Sequence, residues 1–245
     1  MGNYWKHFDT QNLTDIVNNI DEARVLSQMR VIDGVTGAGK SYSCRHYLGQ
    51  TKNKDGVMLI AVRGTMSAQD FGRKLAELCK IKILGSDNLF RIETKIIEHI
   101  KTLKDKELKP VLIVDEAENL KSKSYHIIKT INDELVEQGF CGLVLVGANN
   151  YKSSIEKEAG RNRNCMPQIN SRSEFLYRPL LPISTDDKEK ACREMGITNK
   201  AVISHICEVC TSYRSLNHVI PTLLYKSERL KQTLTVAFCK AIFRE

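Results

Sequence analysis

The sequence predicts an α/β fold, in which a parallel five-stranded β-sheet with flanking helices is followed by a small all-α lid domain. Two observations predict it. Apolar runs of strand length alternate with amphipathic helical segments up to residue 180, and this alternation is typical of a parallel sheet with right-handed crossovers. No strand pattern recurs after residue 185. We therefore expect an α/β domain over residues 1–180 and a helical domain over residues 181–245.

Five apolar runs predict the strands, at residues 29–33, 57–62, 111–116, 141–146 and 175–177. The longer ones are nearly continuous apolar runs, as expected of strands that are buried on both faces. Apolar residues at helical spacing predict helices over 13–29, 41–49, 67–80, 88–104 and 121–138, and then over 185–195, 199–210, 214–230 and 233–243. The polar segment 151–174 predicts a loop with at most a short helix.

A glycine-rich motif lies between the first predicted strand and the helix that follows it. It matches G-x-x-x-x-G-K-[ST] with Gly34, Val35, Thr36, Gly37, Ala38, Gly39, Lys40 and Ser41. Glycines let backbone N–H groups approach phosphate oxygens closely, and the start of the following helix favours an anion. We expect Lys40 to reach the β- and γ-phosphates, Ser41 to place its hydroxyl on Mg²⁺, and Tyr42 to adjoin the nucleotide.

Two carboxylates end the third predicted strand and complete the expected site for nucleotide hydrolysis. Asp115 is expected to hold Mg²⁺ through its water shell, and Glu116 is expected to orient and activate the attacking water. The spacing from Lys40 to this strand end is ordinary for a nucleotide-hydrolysing α/β domain. The sequence therefore predicts a site that hydrolyses a nucleoside triphosphate.

Three further polar residues complete the candidate site. An asparagine that follows the fourth strand is expected to help place the lytic water; we choose Asn149, although Asn150 would serve equally. Arg172 precedes the fifth strand and is expected to reach the nucleotide of a neighbouring subunit, with Arg161 and Arg163 as competitors. Arg214 opens the third helix of the lid and is expected to contact the γ-phosphate.

Composition and charge restrict the environment of the protein. The net charge is +8, and residues 151–245 carry +6 of it, from 16 basic and 10 acidic residues. This distribution favours a polyanionic partner such as nucleic acid. No apolar run approaches the roughly 20 residues of a membrane span, and no signal-peptide core is present. We expect a cytoplasmic protein with no membrane association, whose eight cysteines are free thiols, the Cys207 and Cys210 pair included.

This set of motifs resembles the AAA+ ATPases, and among them the transposition target-selection ATPases of the Mu phage B protein, TniB and TnsC type. The resemblance rests on the glycine motif, the Asp115 and Glu116 strand end, the strand-end asparagine, and the arginines before the fifth strand and in the lid. It implies a protein that binds ATP and Mg²⁺ and assembles as a ring or filament on duplex DNA. In that state it would direct a transposase to target DNA, and ATP hydrolysis would drive disassembly.

Four residues that follow the second and third strands are the candidates for contact with the DNA backbone: Arg63, Thr65, Lys121 and Lys123. Two other functions stay open at this point. One is a helicase loader of the DnaC or IstB kind, and the other is a nucleotide-gated scaffold or switch that hydrolyses slowly. The intact Glu116 favours hydrolysis over a pure scaffold.

Overall fold

A computed structural model of the chain describes residues 9–51, 56–105, 110–148, 150–174 and 176–243. The described residues form two compact units. The first unit, called here the sheet unit, contains residues 15–34 and 40–180. The second, called the lid unit, contains residues 9–14, 35–39 and 181–243. Each unit is described by itself below.

The sheet unit is built on a five-stranded parallel sheet, which confirms the predicted fold class. Its strands are β1 (Met29–Gly34), β2 (Val57–Ala61), β3 (Val111–Asp115), β4 (Gly142–Ala148) and β5 (Tyr177–Pro179), in the order β2-β3-β4-β1-β5. Every neighbouring pair is parallel. The central strands β3 and β4 are buried along almost their whole length, because helices cover both faces of a parallel sheet.

Seven helices belong wholly or mainly to the sheet unit: α1 (Gln11–Leu26), α2 (Lys40–Gln50), α3 (Ala68–Leu78), α4 (Leu89–Asp105), α5 (Ser122–Ile131), α6 (Tyr151–Gly160) and α7 (Met166–Ser173). A 3-10 turn, Ala117–Asn119, follows β3, and a π-helical turn, Asn132–Val136, continues α5. Alternate strand residues such as Leu112 and Val114 pack with α3, α4 and α5 in one large core.

The lid unit contains four helices, as the sequence predicts: α8 (Thr185–Glu194), α9 (Lys200–Val209), α10 (Tyr213–Leu230) and α11 (Val236–Phe243). Three of them begin at capped positions. Ser184, Asn199 and Ser212 each accept a hydrogen bond from a backbone N–H in the first turn, which satisfies donors that a helix start leaves without a partner. Their inward faces form a separate apolar core around Ile206, Leu216 and Ile220.

The helix expected over 121–138 is present: its α-helical part ends at Ile131, and it continues as the π-helical turn. Two other predictions about secondary structure were wrong. Residues 151–174, expected as a loop with at most a short helix, contain the whole of α6 and α7. The fifth strand begins at Tyr177 rather than at residue 175, which lies outside the described residues.

Two further observations bear on the predictions from composition. Within the described ranges, no helix is both long enough and apolar enough to cross a bilayer. All eight cysteines are free thiols, and seven of them are buried.

Candidate nucleotide-binding site

Two buried carboxylates flank the end of the central strand β4. Asp33 of β1 lies in register with Gly147 of β4, and Asp115 of β3 lies in register with Val146. Their side chains belong to residues that are only 5% and 4% exposed. Because β4 lies between β1 and β3, both residues lie at the carboxyl edge of the sheet, where open parallel sheets bind ligands.

Lys40, the first residue of α2, lies among these acidic groups. Its Nζ donates a hydrogen bond to the carbonyl oxygen of Gly34 at 2.6 Å. Burial lowers the pKa of Lys40. Three carboxylates oppose this shift, in decreasing order Glu118, Asp33 and Asp115. The sheet unit therefore presents an ammonium group and a helix start, both of which favour a phosphate.

The middle of the glycine motif, which belongs to the lid unit, has backbone angles that require glycine. Gly37 and Gly39 have φ values of +88° and +89°. A Cβ on Gly37 would lie 2.6 Å from the Cβ of Ser212, and the N–H of Tyr213 donates to the carbonyl oxygen of Gly37 at 3.2 Å. The start of α10 is thus seated on the loop, and the exposed Arg214 is the next residue along that helix. The predicted contact of Arg214 with a γ-phosphate stays a prediction.

Glu116 has a strained backbone. Its φ of 55° and ψ of 42° lie in the left-handed region, which costs a residue other than glycine about 1–2 kcal/mol. Asp115 Oδ1 accepts the N–H of Glu116 at 3.0 Å, and Asn119 donates to Glu116 Oε2 at 3.4 Å. This turn leaves the Glu116 carboxylate exposed at the strand end, where it could accept a proton from a water molecule.

The donor set at this strand end fits Mg²⁺. Ser41 in the first turn of α2 offers a hydroxyl oxygen, and Asp115 offers carboxylate oxygens, which are the ligands that Mg²⁺ prefers. Among the described residues, no group of three or more His, Cys, Asp or Glu side chains could hold a metal ion. Mg²⁺ sites commonly use one or two protein ligands and are completed by phosphates and water.

Arg172 lies on α7 and is held by two carboxylates of its own chain. Its Nη2 lies 2.6 Å from Asp133 Oδ1 and its Nε lies 2.7 Å from Glu137 Oε1. The side chain is 23% exposed. A role for Arg172 at the nucleotide of a neighbouring subunit therefore requires the release of both ion pairs, and that role stays a prediction.

The competing arginines lie at and just after the end of α6 and are more exposed. Arg161 and Arg163 both pair with Glu158, at 3.1 Å and 3.2 Å, and their side chains are 50% and 60% exposed. Surface ion pairs of this kind contribute about 0–1 kcal/mol, so either arginine could leave its partner at little cost.

The four candidate DNA-contacting residues lie at one edge of the sheet unit. Arg63 and Thr65 follow β2, Lys121 and Lys123 lie at the start of α5, and all four are exposed. The side-chain amide of Asn119 donates at 3.1 Å to the backbone carbonyl of the residue before Arg63. This bond joins the turn after β3 to the end of the segment that follows β2, and a role of the four residues in DNA binding stays a prediction.

Of the two candidate strand-end asparagines, Asn149 lies outside the described residues, and Asn150 precedes α6 with a φ of 65°.

Three residues at or near the site were not predicted from the sequence. Sequence reasoning missed Asp33, although its place directly before the glycine motif was a signal. It also missed Glu118, which repeats the acidic pattern two residues after Glu116. Nothing in the sequence pointed to the buried Asn12, whose side-chain amide donates to the carbonyl oxygens of two lid-unit residues, Ala38 and Leu181.

Known structures with the same fold include replication proteins. The ORC1 protein of Aeropyrum pernix, solved in complex with DNA, superposes with a TM-score of 0.64 at 13% identity over 95% of this chain and 64% of its own. The ORC2 protein of the same organism, solved in ADPNP-ADP complexes, gives 0.68 at 13% identity over 100% and 70%. Domain III of Thermotoga maritima DnaA gives 0.61 at 17% identity over 97% and 93%. At these identities the similarity shows the fold alone, and the chain spans just under two thirds of the ORC1 protein.

Sequence comparison gives the family. No curated protein sequence is significantly similar to this chain. The profile of a protein family described as an AAA domain matches residues 25–153, which is more than half of the chain and includes the glycine motif and the Asp115 strand end. The parallel five-stranded sheet, the glycine loop and the carboxylates at the strand ends agree with this match. The chain belongs to the AAA domain family.

Proposed function

We propose that the protein is an ATPase that assembles on duplex DNA and directs a transposase to its target, with ATP hydrolysis driving disassembly. The observation that carries the ATPase part is the charge arrangement at the strand ends. Lys40 lies among buried carboxylates at the start of a helix, and Glu116 is turned out of the strand by a left-handed backbone.

Each group of residues has a separate role in hydrolysis. Backbone N–H groups of the glycine loop and Lys40 bind the phosphates. Ser41 and Asp115 would hold Mg²⁺, which would supply positive charge beside the phosphate oxygens. Glu116 accepts a proton from the attacking water. Arg214 would make hydrolysis depend on the lid, and Arg172 would make it depend on a neighbouring subunit.

The ATPase part is tested by two substitutions. Lys40→Ala removes the cation and should abolish ATP binding, whereas Glu116→Gln should preserve binding and slow hydrolysis by at least about 100-fold. Lys82→Ala and Glu98→Gln, both at exposed positions on the sheet unit, are the matched controls. Hydrolysis by Glu116→Gln at the wild-type rate would show that another group activates the water.

The DNA part rests on three exposed cations that follow the ends of β2 and β3, which are Arg63, Lys121 and Lys123. A protein that neutralises phosphates with cations binds duplex DNA without reading its sequence and loses affinity as salt rises. Binding should require ATP or a slowly hydrolysed analogue, and electron microscopy should show rings or filaments on DNA. Loss of one of these cations, as in Arg63→Ala, should reduce the salt slope of the binding constant by about one.

The second candidate is a helicase loader, whose partner would be a replicative helicase, and the similar structures support a role in replication. The neighbours include a DnaA domain and an ORC protein bound to DNA, so a role in loading a helicase or opening an origin is the second candidate. Pull-down with a transposase against pull-down with a helicase, each with duplex and single-stranded DNA, separates the two. An ATPase that is indifferent to all four ligands would be the nucleotide-gated switch.

A further inference from the structure

Lys152 is a buried lysine at the start of α6, and the predicted nucleotide site gives it no role. Its side chain is only 8% exposed. Its Nζ donates hydrogen bonds to Asn170 Oδ1 at 2.9 Å and to Ser173 Oγ at 3.1 Å. Both acceptors lie in the last turn of α7, and the carboxyl end of a helix favours a cation. The side chain of Lys152 therefore joins α6 to the carboxyl end of α7.

The backbone of the same residue contacts the strand that leads into the glycine motif. The N–H of Lys152 donates to Asp33 Oδ2 at 3.1 Å, and Asp33 directly precedes Gly34 in β1. The first N–H groups of a helix have no partner within the helix, and Asn150, which precedes α6, makes no side-chain cap. The buried carboxylate of Asp33 supplies a cap from β1 instead. Lys152 thus connects β1, α6 and α7.

A buried charge at this position is costly for stability. Removal of an ammonium from water is unfavourable. The ion pair of Lys152 with Glu156 is long, at 3.8 Å, and the side chain of Glu156 is 55% exposed, so this pair contributes little. An apolar side chain of similar volume would avoid the cost. The lysine is therefore better explained by the geometry that its hydrogen bonds impose on the last turn of α7, which also carries Arg172.

We propose that Lys152 is a positioning residue that sets the last turn of α7, and with it Arg172, relative to the end of β1 at the glycine motif. The inference rests on the proposed function, in which Arg172 acts at the nucleotide of a neighbouring subunit, and deepens it. Arg172 lies between the two residues that Lys152 binds, at positions 170 and 173. Movement of β1 on nucleotide binding would therefore reach α7 through Asp33 and Lys152.

Lys152→Met tests this role, because it keeps a long side chain and removes the charge and the hydrogen-bond donors. The dissociation constant for ATP should stay within about twofold of the wild-type value, because Lys152 has no part in phosphate binding, whereas kcat should fall at least about tenfold through misplacement of Arg172. Lys157→Met, at an exposed position of the same helix, is the matched control and should leave both constants unchanged. Thermal unfolding shows whether each variant folds.

Mixing of subunits separates the positioning of Arg172 from a general loss of structure. Glu116→Gln subunits should bind ATP without rapid hydrolysis, and they carry an intact Lys152 and Arg172. In excess they should raise the turnover of each Lys152→Met subunit at least about threefold, because they supply a correctly placed arginine to its nucleotide. A defect confined to the Lys152→Met subunit itself would not respond to mixing.

The outcomes distinguish this inference from the function on which it rests. A folded Lys152→Met protein that loses ATP binding, keeps the wild-type kcat or does not respond to mixing overturns the role of Lys152 while the ATPase stands. A wild type that does not hydrolyse ATP overturns both. If Lys152→Met does not fold, Asn170→Ala, which removes one acceptor at a half-buried position, decides instead. A loss of kcat of at least about threefold that mixing reverses supports the role, and any other result refutes it.

Discussion

Gly37→Ala should disable the glycine loop, and the structure gives the size of the effect. The φ of +88° at Gly37 costs a residue with a Cβ about 1–2 kcal/mol. The new methyl group would lie 2.6 Å from the Cβ and 3.1 Å from the Oγ of Ser212. Ordinary carbon contacts are about 3.5–4.0 Å, so the loop or the start of α10 must move by about 1 Å, and overpacking of this kind costs about 1–3 kcal/mol. Together these two costs should lower the free energy of unfolding by about 2–5 kcal/mol.

The assay combines thermal unfolding with ATP titration. Gly49→Ala is the matched control, because a Cβ at Gly49 meets nothing within 4 Å and the residue lies in α2, where alanine stabilises a helix by up to about 1 kcal/mol. The Gly37→Ala/Ser212→Gly double variant tests the clash itself. It removes the opposing Cβ and should recover the overpacking part of the loss. Ser212→Gly alone loses the cap of α10, which costs only about a few tenths of a kcal/mol.

Two results would refute this reasoning. One is a Gly37→Ala protein that unfolds at the wild-type temperature and binds ATP with wild-type affinity. The other is a double variant no better than Gly37→Ala, which would mean that the backbone angle accounts for the whole effect and that the contact with Ser212 is relaxed without cost.

Two other predictions follow from contacts in the sheet unit. Gly147→Ala places a Cβ 2.3 Å from the ring of the fully buried Tyr151, so urea unfolding should show a loss of about 3 kcal/mol or more; a loss below about 1 kcal/mol would mean that the ring moves freely. Arg172→Ala should reduce ATPase activity by about 10³-fold if Arg172 acts on a neighbouring subunit. Mixing it with inactive Lys40→Ala should then restore activity, because the Lys40→Ala subunits supply an intact Arg172, and failure to do so would contradict a role of Arg172 on a neighbouring subunit.

The strands were predictable because a strand that is buried on both faces is a nearly continuous apolar run in the sequence. The run 111–115 is apolar except for its last residue and is buried throughout, so the carboxylate at its end identified the site as well as the strand. The glycine motif was predictable for a different reason. Backbone angles and close contacts require its glycines, as at Gly37, so few other residues could occupy these positions.

Segment 151–174 was unpredictable because only a narrow stripe of α6 is buried. Tyr151 and Ile155 are 1% and 0% exposed and lie one helical turn apart, while most of the residues around them are polar and exposed. Such a sequence is hard to distinguish from a loop. β5 was misplaced for a related reason: it is a short edge strand with all three residues exposed, so it lacks the apolar run that marks the other four.

The ion pairs of Arg172 could not have been predicted from sequence spacing. They join Arg172 to Asp133 and Glu137, which lie 35 or more positions earlier in the chain, and contacts between such distant segments leave no periodic pattern in the sequence. The two carboxylates lie in and just after the π-helical turn that continues α5. Turns of this type are often found at functional sites.

The charge balance at the strand ends has a consequence for how ATP can bind. The negative charges of Glu118, Asp33 and Asp115 all act on the ammonium of Lys40, and a triphosphate adds further negative charge. Backbone N–H groups of the loop offset part of this repulsion, and the rest requires a divalent cation. We therefore expect removal of Mg²⁺ with EDTA to weaken ATP binding by more than about tenfold. The loss should be smaller in Glu118→Gln, because one repelling charge is already gone. Calorimetric titration measures both, and an equal loss in the two proteins would show that Glu118 does not act on the phosphates.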